Sequence, residues 1–275
     1  MDIAVLAENT AVSEEFGCEH SYSLYIATAK HKILFDVGAS GLFIESAKKM
    51  EIDLADVDIV VISHGHYDHG GGLEAFLSIN TKAKIYMNRN AFGKYYAMGS
   101  EEEGKTYIGL DERLLPNDRF VFTQDKYIID ESVELFSGVT GGKYLPPSNK
   151  DLYMELGGTL QHDDFAHEQN MAICEGDTTA LFVGCAHKGI VNILERYGDE
   201  SGRPPEYVFG GFHLMADGAN EQAAWAMAGR IAEFMNGTKA TYYTGHCTGI
   251  NAYAHMKQRM ADKVEYLSTG SRIQI

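Results

Sequence analysis

Histidines follow four apolar segments of the chain, in each case directly after the segment ends. The segments are 59–62, 180–183, 207–209 and 241–243, and the turns after them carry six of the eleven histidines: His64, His66, His69, His187, His213 and His246. Open α/β sheets bind ligands at the carboxyl ends of their strands, so we expect these imidazoles to converge. Neutral imidazole is a frequent ligand of zinc and other transition metals. The pattern therefore predicts a metal site.

The densest group is the run from His64 to His69, which reads His-Gly-His-Tyr-Asp-His. His64 and His66 can point the same way from an extended segment, while Asp68 and His69 in the following turn face a second point nearby. Each of these polar groups would cost about 1–3 kcal/mol if it were buried without a partner. A divalent ion supplies that partner. The alternative, a solvated histidine-rich loop, is less consistent with the ligand types and their spacing.

The elements that must position these side chains are short apolar strands alternating with helices, which is typical of an α/β protein. We predict strands at 3–6, 22–26, 33–35, 59–62, 180–183, 207–209 and 241–243. We predict helices from 41 onward, at 190–197 with Gly198 as the stop, at 221–235 and at 252–260. Residues from about 88 to 170 lack this alternation, and we interpret them as a long insertion or lid over the sheet.

Length and composition are those of a globular chain, with 275 residues, 45% hydrophobic and 23% charged, so we expect a single domain spanning 1–275. The net charge of −16 disfavours nucleic acid and anionic membranes as partners and leaves a small-molecule substrate. No basic leader and no apolar run of about 18 residues is present, which predicts a cytoplasmic protein. The four cysteines form no CxxC pair, so a disulfide framework is not expected.

The sequence resembles the metallo-β-lactamase superfamily, whose HxHxDH signature after a buried strand is matched by residues 64–69. Within it, the chain is similar to a branch of pterin-related synthases. The stretches that carry this resemblance are 8–9, 19–20, 34–38, 63–73, 184–192, 210–214 and 246–249. The resemblance implies an α/β fold of the αββα sandwich type, with metal at the edges of the two sheets.

The resemblance also implies a ligand set for one or two divalent ions. It places His64 and His66 on one ion, and Asp68, His69 and His246 on the other. His187 is our choice for the third histidine of the first ion, with His167 as the alternative. Cys185 stands where the superfamily has a bridging aspartate, and it is either a thiolate ligand or an inert small residue. His213 is a metal ligand, a substrate contact or a satisfied loop histidine.

Substrate contacts are expected where helices begin, because free backbone N–H groups there can hold an anion. His187 and His246 precede two predicted helices, and Gly189 and Gly249 would let a phosphate or carboxylate approach the backbone. His20 matches the synthase branch and faces the pocket or supports a strand edge. Cations for a diphosphate would have to come from the following residues, each of which is more typical of a plain surface charge: Arg89, Lys94, Lys105, Lys143 and Lys188.

The chemistry expected of such a site is hydrolysis of an ester, amide-like or phosphoester bond. A zinc-like ion lowers the pKa of its bound water to about 7, and Asp68 could orient that water as the catalytic carboxylate. The imidazole-rich set favours zinc, with iron or manganese as alternatives. Three other functions stay open: a pterin-related synthase that displaces diphosphate, a two-iron redox protein, and a metal-holding ligand-binding protein without hydrolytic activity.

Overall fold

The computed structural model describes residues 1–99, 104–216 and 221–275. The strands of these residues are β1 (Asp2–Ala7), β2 (Ser23–Ala27), β3 (Lys32–Phe35), β4 (Ile59–Ile62), β5 (Lys84–Asn88), β6 (Lys94–Met98), β7 (Lys105–Tyr107), β8 (Phe120–Thr123), β9 (Lys126–Ile128), β10 (Val133–Ser137), β11 (Leu152–Leu156), β12 (Thr159–His162), β13 (Gln169–Glu175), β14 (Thr178–Phe182), β15 (Tyr207–Gly210), β16 (Thr241–Thr244), β17 (Val264–Tyr266) and β18 (Arg272–Gln274). The α-helices are α1 (Leu42–Lys49), α2 (Tyr67–Gly70), α3 (Leu73–Ile79), α4 (Ile190–Ser201), α5 (Glu221–Asn236) and α6 (Ile250–Met260). No helix in the described ranges is long and apolar enough to cross a membrane.

Two seven-stranded sheets form the body of the described chain. The first has the order β18-β1-β2-β3-β4-β5-β8, and the second has the order β17-β16-β15-β14-β13-β10-β9. Strands β3, β4, β5 and β8 are parallel in the first sheet, as are β14, β15, β16 and β17 in the second. The strands that carry the histidine turns are therefore all parallel members of a sheet.

The sheets pack face to face, and helices cover their outer faces. Phe35 and Val61 of the first sheet share a buried cluster with Phe182 and Phe209 of the second. On the other face of the first sheet, side chains of β3 and β4 pack with residues of α1 and α3. Residues of α4, α5 and α6 cover the second sheet in the same way. The layer order is αββα, as predicted, and β4 is apolar throughout because both of its faces are covered.

One predicted helix boundary is wrong. We expected Gly198 to end the helix that begins at Ile190, but α4 continues to Ser201 and ends at Gly202. Gly202 has φ 71°, the left-handed conformation that a helix C-terminus requires and that glycine adopts without strain. Gly198 lies inside the helix with open space where a Cβ would stand, so it is tolerated there rather than needed.

The segment from about 88 to 170, interpreted as one insertion, supplies strands to all three sheets. Strand β8 joins the first sheet and β9 and β10 join the second, while β6, β7, β11 and β12 form a separate four-stranded sheet. Part of this segment therefore belongs to the two main sheets, and part of it forms the four-stranded sheet. The strands of this segment were not predicted because β8, β9 and β10 are only three to five residues long and give little pattern in the sequence.

Candidate metal centre

The turns after β4, β14 and β16 bring five histidines into the protein interior. Relative exposure is 4% or less for each of them: His64, His66, His69, His187 and His246. His213, in the turn after β15, is partly exposed. Such dense burial of imidazoles is costly unless each polar nitrogen has a partner. Where the ring nitrogens point is therefore the feature that decides what these residues do.

One group combines Asp68, His69, Cys185 and His246, whose ligand atoms all lie within 4.8 Å of one another. His246 Nε2 lies 3.1 Å from His69 Nε2 and 3.1 Å from Asp68 Oδ2. Cys185 Sγ lies 3.1 Å from His69 Nε2. The three residues that resemblance assigned to one ion are thus together, with the thiol of Cys185 as a fourth member.

A second group combines His64, His187 and Cys185, again with ligand atoms within 4.8 Å of one another. The Nε2 atoms of His64 and His187 are 3.3 Å apart. Cys185 belongs to both groups, so its sulfur lies between them. This is the position that we had compared with the bridging aspartate of the superfamily.

His66 does not join His64 in either group. Its Nε2 lies 3.9 Å from Asp163 Oδ2, in a third group with His167, and has no hydrogen-bond partner among the described residues. In His167 both ring nitrogens are engaged, since Nδ1 accepts the Gly65 N–H (2.9 Å) and Nε2 contacts Asp163 (3.1 Å). His187 is therefore the histidine beside His64, and His167 holds the turn between His64 and His66.

Each histidine of the first two groups turns its Nδ1 outward to an oxygen acceptor. His69 Nδ1 contacts Asp36 Oδ2 (2.7 Å), and His64 Nδ1 contacts Ser63 Oγ (2.9 Å), which itself donates to Asp36. The other two pairs are His187 Nδ1 with Asn149 Oδ1 (3.2 Å) and His246 Nδ1 with Asn9 Oδ1 (2.9 Å). A carboxylate or amide oxygen can only accept, and the Ser63 hydroxyl already donates its hydrogen to Asp36, so Nδ1 carries the proton in all four rings.

With the proton on Nδ1, the Nε2 atom of each of these four histidines points to the interior and offers a lone pair there whenever the ring is neutral. Two such lone pairs face each other at 3.1 Å and two more at 3.3 Å, an arrangement that repels unless a cation or proton lies between them. Outward hydrogen bonds of this kind are the usual support of metal-ligating histidines. The donor set of imidazoles, one carboxylate and one thiol therefore fits a transition-metal centre.

Burial determines the protonation of these residues. Burial lowers the pKa of His64 and of His187 well below the ordinary value, and lowers that of His66 to about 4. These rings are therefore neutral near pH 7, as metal ligands must be. Burial also opposes protonation of His69, but the carboxylates of Asp68 and Asp36 outweigh it and raise its pKa to about 9.

Asp68 is ionised in this surrounding. Burial alone would raise the pKa of its carboxyl, but the imidazoles of His69, His20 and His246 outweigh that effect and hold the pKa well below the usual range. His20 Nε2 lies 3.4 Å from Asp68 Oδ2 at the solvent side of the group. Asp68 is thus held as a carboxylate by three imidazoles.

Two buried glutamates accept hydrogen bonds from the backbone of the turns that carry His187 and His246. Glu8 Oε1 accepts the N–H of His246 (2.5 Å), and Glu168 Oε1 accepts the N–H of His187 (2.6 Å). Sequence reasoning gave no role to Glu8, Glu168, Asp36 or Asn149. The sequence did hold a signal for Glu8 and Asp36, because the stretches 8–9 and 34–38 match the branch that the chain resembles. Nothing in the sequence pointed to Asn149 or Glu168.

A cavity of about 220 Å³ opens onto the centre. His20, His187 and His213 line one side of it, and Ala97, Ile108 and Leu152 from the four-stranded sheet and its loop line the other. His20 and His213, which we considered as substrate contacts, thus line this cavity. Gly249 lines a neighbouring cavity of about 410 Å³, which shares Met215 with the first.

Gly189, by contrast, does not line either of these cavities. A Cβ at this position would lie 2.7 Å from Asn192 Nδ2 and 3.0 Å from the Lys143 carbonyl, and φ is +81°. The position needs glycine for this turn and for the close approach of Asn192, and its role toward an anion stays a prediction.

Among the described residues, no lysine or arginine lines the cavity beside the centre. Three of the cations that we considered as diphosphate anchors are engaged elsewhere: Lys94 with Glu155, Lys143 with Glu195, and Arg89 with Gln124. The positive charge available to a substrate must therefore come from imidazoles and bound ions.

Comparison with known proteins agrees with this geometry. Residues 16–148 match the family described as the metallo-beta-lactamase superfamily. The crystal structure of a metal-dependent hydrolase of the beta-lactamase superfamily superposes with a TM-score of 0.82 at 28% identity, covering 100% of this chain and 99% of that one. The chain is thus similar to the metallo-beta-lactamase superfamily, in sequence over residues 16–148 and in fold over its whole length. The resemblance found in the sequence is thereby confirmed.

Two proteins of Methanocaldococcus jannaschii are similar to this chain over nearly their full lengths. One is an uncharacterized protein, 28% identical over 93% of this chain and 94% of its own. The other is 7,8-dihydropterin-6-methyl-4-(beta-D-ribofuranosyl)-aminobenzene-5'-phosphate synthase, 27% identical over 98% of this chain and 95% of its own. The chain is an enzyme of the hydrolase or synthase kind, and its histidine, aspartate and cysteine side chains form groups that could hold metal ions.

Proposed function

We propose that the chain is a metal-dependent hydrolase that acts on a small anionic metabolite, phosphorylated or pterin-like. One observation carries this proposal: four histidines direct their Nε2 atoms toward one another at 3.1 Å and 3.3 Å, beside a carboxylate and a thiol and next to a cavity. Each facing pair needs a proton or a cation between its two nitrogens, and this set of ligand types favours a metal ion in that place. The ions would be divalent, one or two per chain, with zinc favoured and iron or manganese as alternatives.

The ligand groups divide between two positions. Asp68, His69 and His246 would hold one ion, and His64 and His187 would hold the other, with Cys185 between them. His66, which lies 3.9 Å from Asp163 and has no hydrogen-bond partner for its Nε2 among the described residues, would turn toward the ion held by His64 and His187. A divalent ion in such a site lowers the pKa of bound water and polarises a carbonyl or phosphoryl oxygen.

The charge of the ligand set indicates the charge of the substrate. One carboxylate and one thiol are the only ligands of this set that can carry negative charge, and the imidazoles are neutral or positive. They cannot cancel the charge of two divalent ions, so the cavity floor attracts an anion even without lysine or arginine.

The residues around the floor orient the reacting groups. His20 and His246 fix the Asp68 carboxylate from two sides, at 3.4 Å and 3.1 Å. Asp68 can then orient the attacking water without itself moving. Ala97, Ile108 and Leu152 cover the opposite wall, where an apolar or aromatic part of the metabolite would lie and bulk water would be excluded.

The test is turnover of a panel of small esters and phosphoesters by the zinc-loaded chain. We expect activity that chelation removes and zinc restores. His66→Ala should abolish it and lower the metal content, while far-UV circular dichroism stays that of the wild type. His255→Ala, on the surface of α6, is the matched control and should change neither. Activity that persists after chelation, or in His66→Ala, would contradict the proposal.

A pterin-related synthase is the second candidate function. It is favoured by the similarity to the archaeal synthase along 98% of this chain. Such a reaction displaces diphosphate from a pterin methyl carbon, and a cavity without lysine or arginine leaves the bound ions alone to neutralise that leaving group. Diphosphate release from a pterin substrate only when an aryl acceptor is present would identify the synthase. Bound metal with no turnover in either assay would indicate a ligand-binding protein.

A further inference from the structure

Three side chains beside the metal centre form a group that the proposed hydrolysis does not use as a unit. Cys185, His213 and Cys247 have ligand atoms within 4.8 Å of one another, and all three line the 220 Å³ cavity. They follow three consecutive strands of the second sheet, since Cys185 comes after β14, His213 after β15 and Cys247 after β16. We call these three residues the thiol cluster.

The surroundings of Cys247 leave room for its sulfur and hold it in place. A Cβ on Gly211 would lie 2.4 Å from Cys247 Sγ, so any larger residue would displace the sulfur. Gly211 does not have a positive φ, and its backbone therefore does not require glycine. The sulfur also accepts the N–H of His213 at 3.3 Å. Cys247 is 3% exposed and Cys185 is 2% exposed.

The imidazole of His213 packs edge-on against the ring of His187, at 4.3 Å between centroids, but no hydrogen bond explains where its nitrogens point. Both of its ring nitrogens are buried and lack a hydrogen-bond partner among the described residues. Its backbone has φ 50°, a conformation that is uncommon for residues other than glycine. An unpaired buried nitrogen costs about 1–3 kcal/mol, and a ligand bound between this ring and the two sulfurs would remove that cost.

We propose that the thiol cluster is a further metal site, which takes a thiophilic ion such as zinc and shares Cys185 with the histidine and aspartate centre. Two thiolates and one imidazole are a known three-ligand set for zinc, with the fourth position open to water or substrate. Here the fourth position faces the cavity. Hard oxygen-seeking ions such as magnesium are excluded by the same ligand types.

The test follows cadmium, a thiophilic probe, into the full chain from which metal has been removed. It uses the background Cys18→Ser with Cys174→Ser, in which Cys185 and Cys247 are the remaining thiols of the four cysteines. This background is itself the control and should bind like the wild type. Cys247→Ser should remove one equivalent of cadmium and about half of the thiolate-to-metal charge-transfer absorption. Unchanged stoichiometry and absorption would overturn the proposal.

A second pair of variants separates the thiol cluster from the histidine and aspartate centre. Asp68→Asn with His246→Ala should lower the cadmium stoichiometry but retain the absorption that depends on Cys247. Loss of the Cys247-dependent absorption in that variant would mean that Cys247 only assists the main centre, and would overturn a separate site. Gly211→Ala keeps both thiols and displaces one, and it should weaken the Cys247-dependent binding about tenfold. Melting temperatures check that each variant folds.

Discussion

The two walls of the metal centre supply ligands in different ways. The first wall is the single turn after β4, where His64, Asp68 and His69 lie within six residues and two of them depend on one carboxylate, Asp36. The second wall is formed by residues that follow different strands, chiefly His187 after β14 and His246 after β16. Its histidines have separate partners, Asn149 for one and Asn9 for the other.

The difference indicates where the centre is vulnerable. Asp36 accepts hydrogen bonds from Ser63 N, Ser63 Oγ and His69 Nδ1, each at 2.7 Å, and Ser63 in turn orients His64. One change there disturbs a ligand of each proposed ion. On the second wall, a lost partner releases one ligand and leaves its neighbours in place.

The largest effect is expected for Asp36→Asn. The amide replaces one acceptor oxygen by a donor, so at least one of the three hydrogen bonds is lost inside the protein. Zinc affinity should fall about 100-fold, and the free energy of unfolding should fall by about 3 kcal/mol. Competition with a chromophoric chelator and urea unfolding measure the two quantities. Asp118→Asn, on the surface, is the control, and a zinc affinity within twofold of wild type in Asp36→Asn would refute shared support.

The pH dependence of the metal-free protein sharpens the same comparison. The pKa of His66 falls from 6.5 to about 4 on folding, so the unfolded chain binds more protons between these values and stability is lost as pH falls through them. The pKa of His69 rises from 6.5 to about 9, so its contribution is lost as pH rises through that range. The free energy of unfolding should peak near pH 6.5. On either side it should change by about 1.4 kcal/mol per pH unit for each proton by which the folded and unfolded states differ.

Urea unfolding of the chelated protein from pH 5 to 8.5 measures this profile. Zinc should flatten its alkaline side, because a bound ion replaces the proton on His69. If the free energy of unfolding of the metal-free protein instead rises steadily up to pH 8.5, His69 of the first wall does not bind an extra proton in the folded state.

Asn149→Ala tests the second wall and should have a smaller effect. It removes the acceptor of His187 Nδ1 (3.2 Å) and the donor to the His187 carbonyl (2.8 Å), but leaves His246 and its own partner Asn9 untouched. We expect about a tenfold loss of zinc affinity. Asn9→Ala should behave alike, and the double variant should be additive. A loss as large as that of Asp36→Asn would remove the distinction between the walls.

The first wall could be predicted from the sequence because its ligands are local. The apolar strand β4 is followed at once by the histidines and the aspartate of residues 64–69, and a known signature matches this run. The second wall was predicted only in part. His187, His213 and His246 each follow an apolar run, so their place at the sheet edge was foreseeable, but which nitrogen faces which neighbour was not.

The supporting residues could not be predicted, and the reason is physical. Asn149 and Glu168 come from the segment between about 88 and 170, where short strands give little periodicity. Their contacts join loops 19 to 38 residues apart in the chain. A polar residue that serves as a buried acceptor has the same appearance in the sequence as one in solvent.

The smallest effect is expected for Glu168→Gln. Burial raises the pKa of the Glu168 carboxyl, although the N–H groups of His187 (2.6 Å) and Lys188 (3.1 Å) stabilise its charged form. Glutamine keeps one acceptor oxygen for the stronger of these two bonds, so the turn after β14 should hold. We expect a loss of about 1 kcal/mol in unfolding free energy and a zinc affinity within about threefold of wild type. Glu233→Gln, on the exposed face of α5, is the control. A tenfold loss of zinc affinity would instead place Glu168 beside Asp36, as a residue whose charge the centre requires.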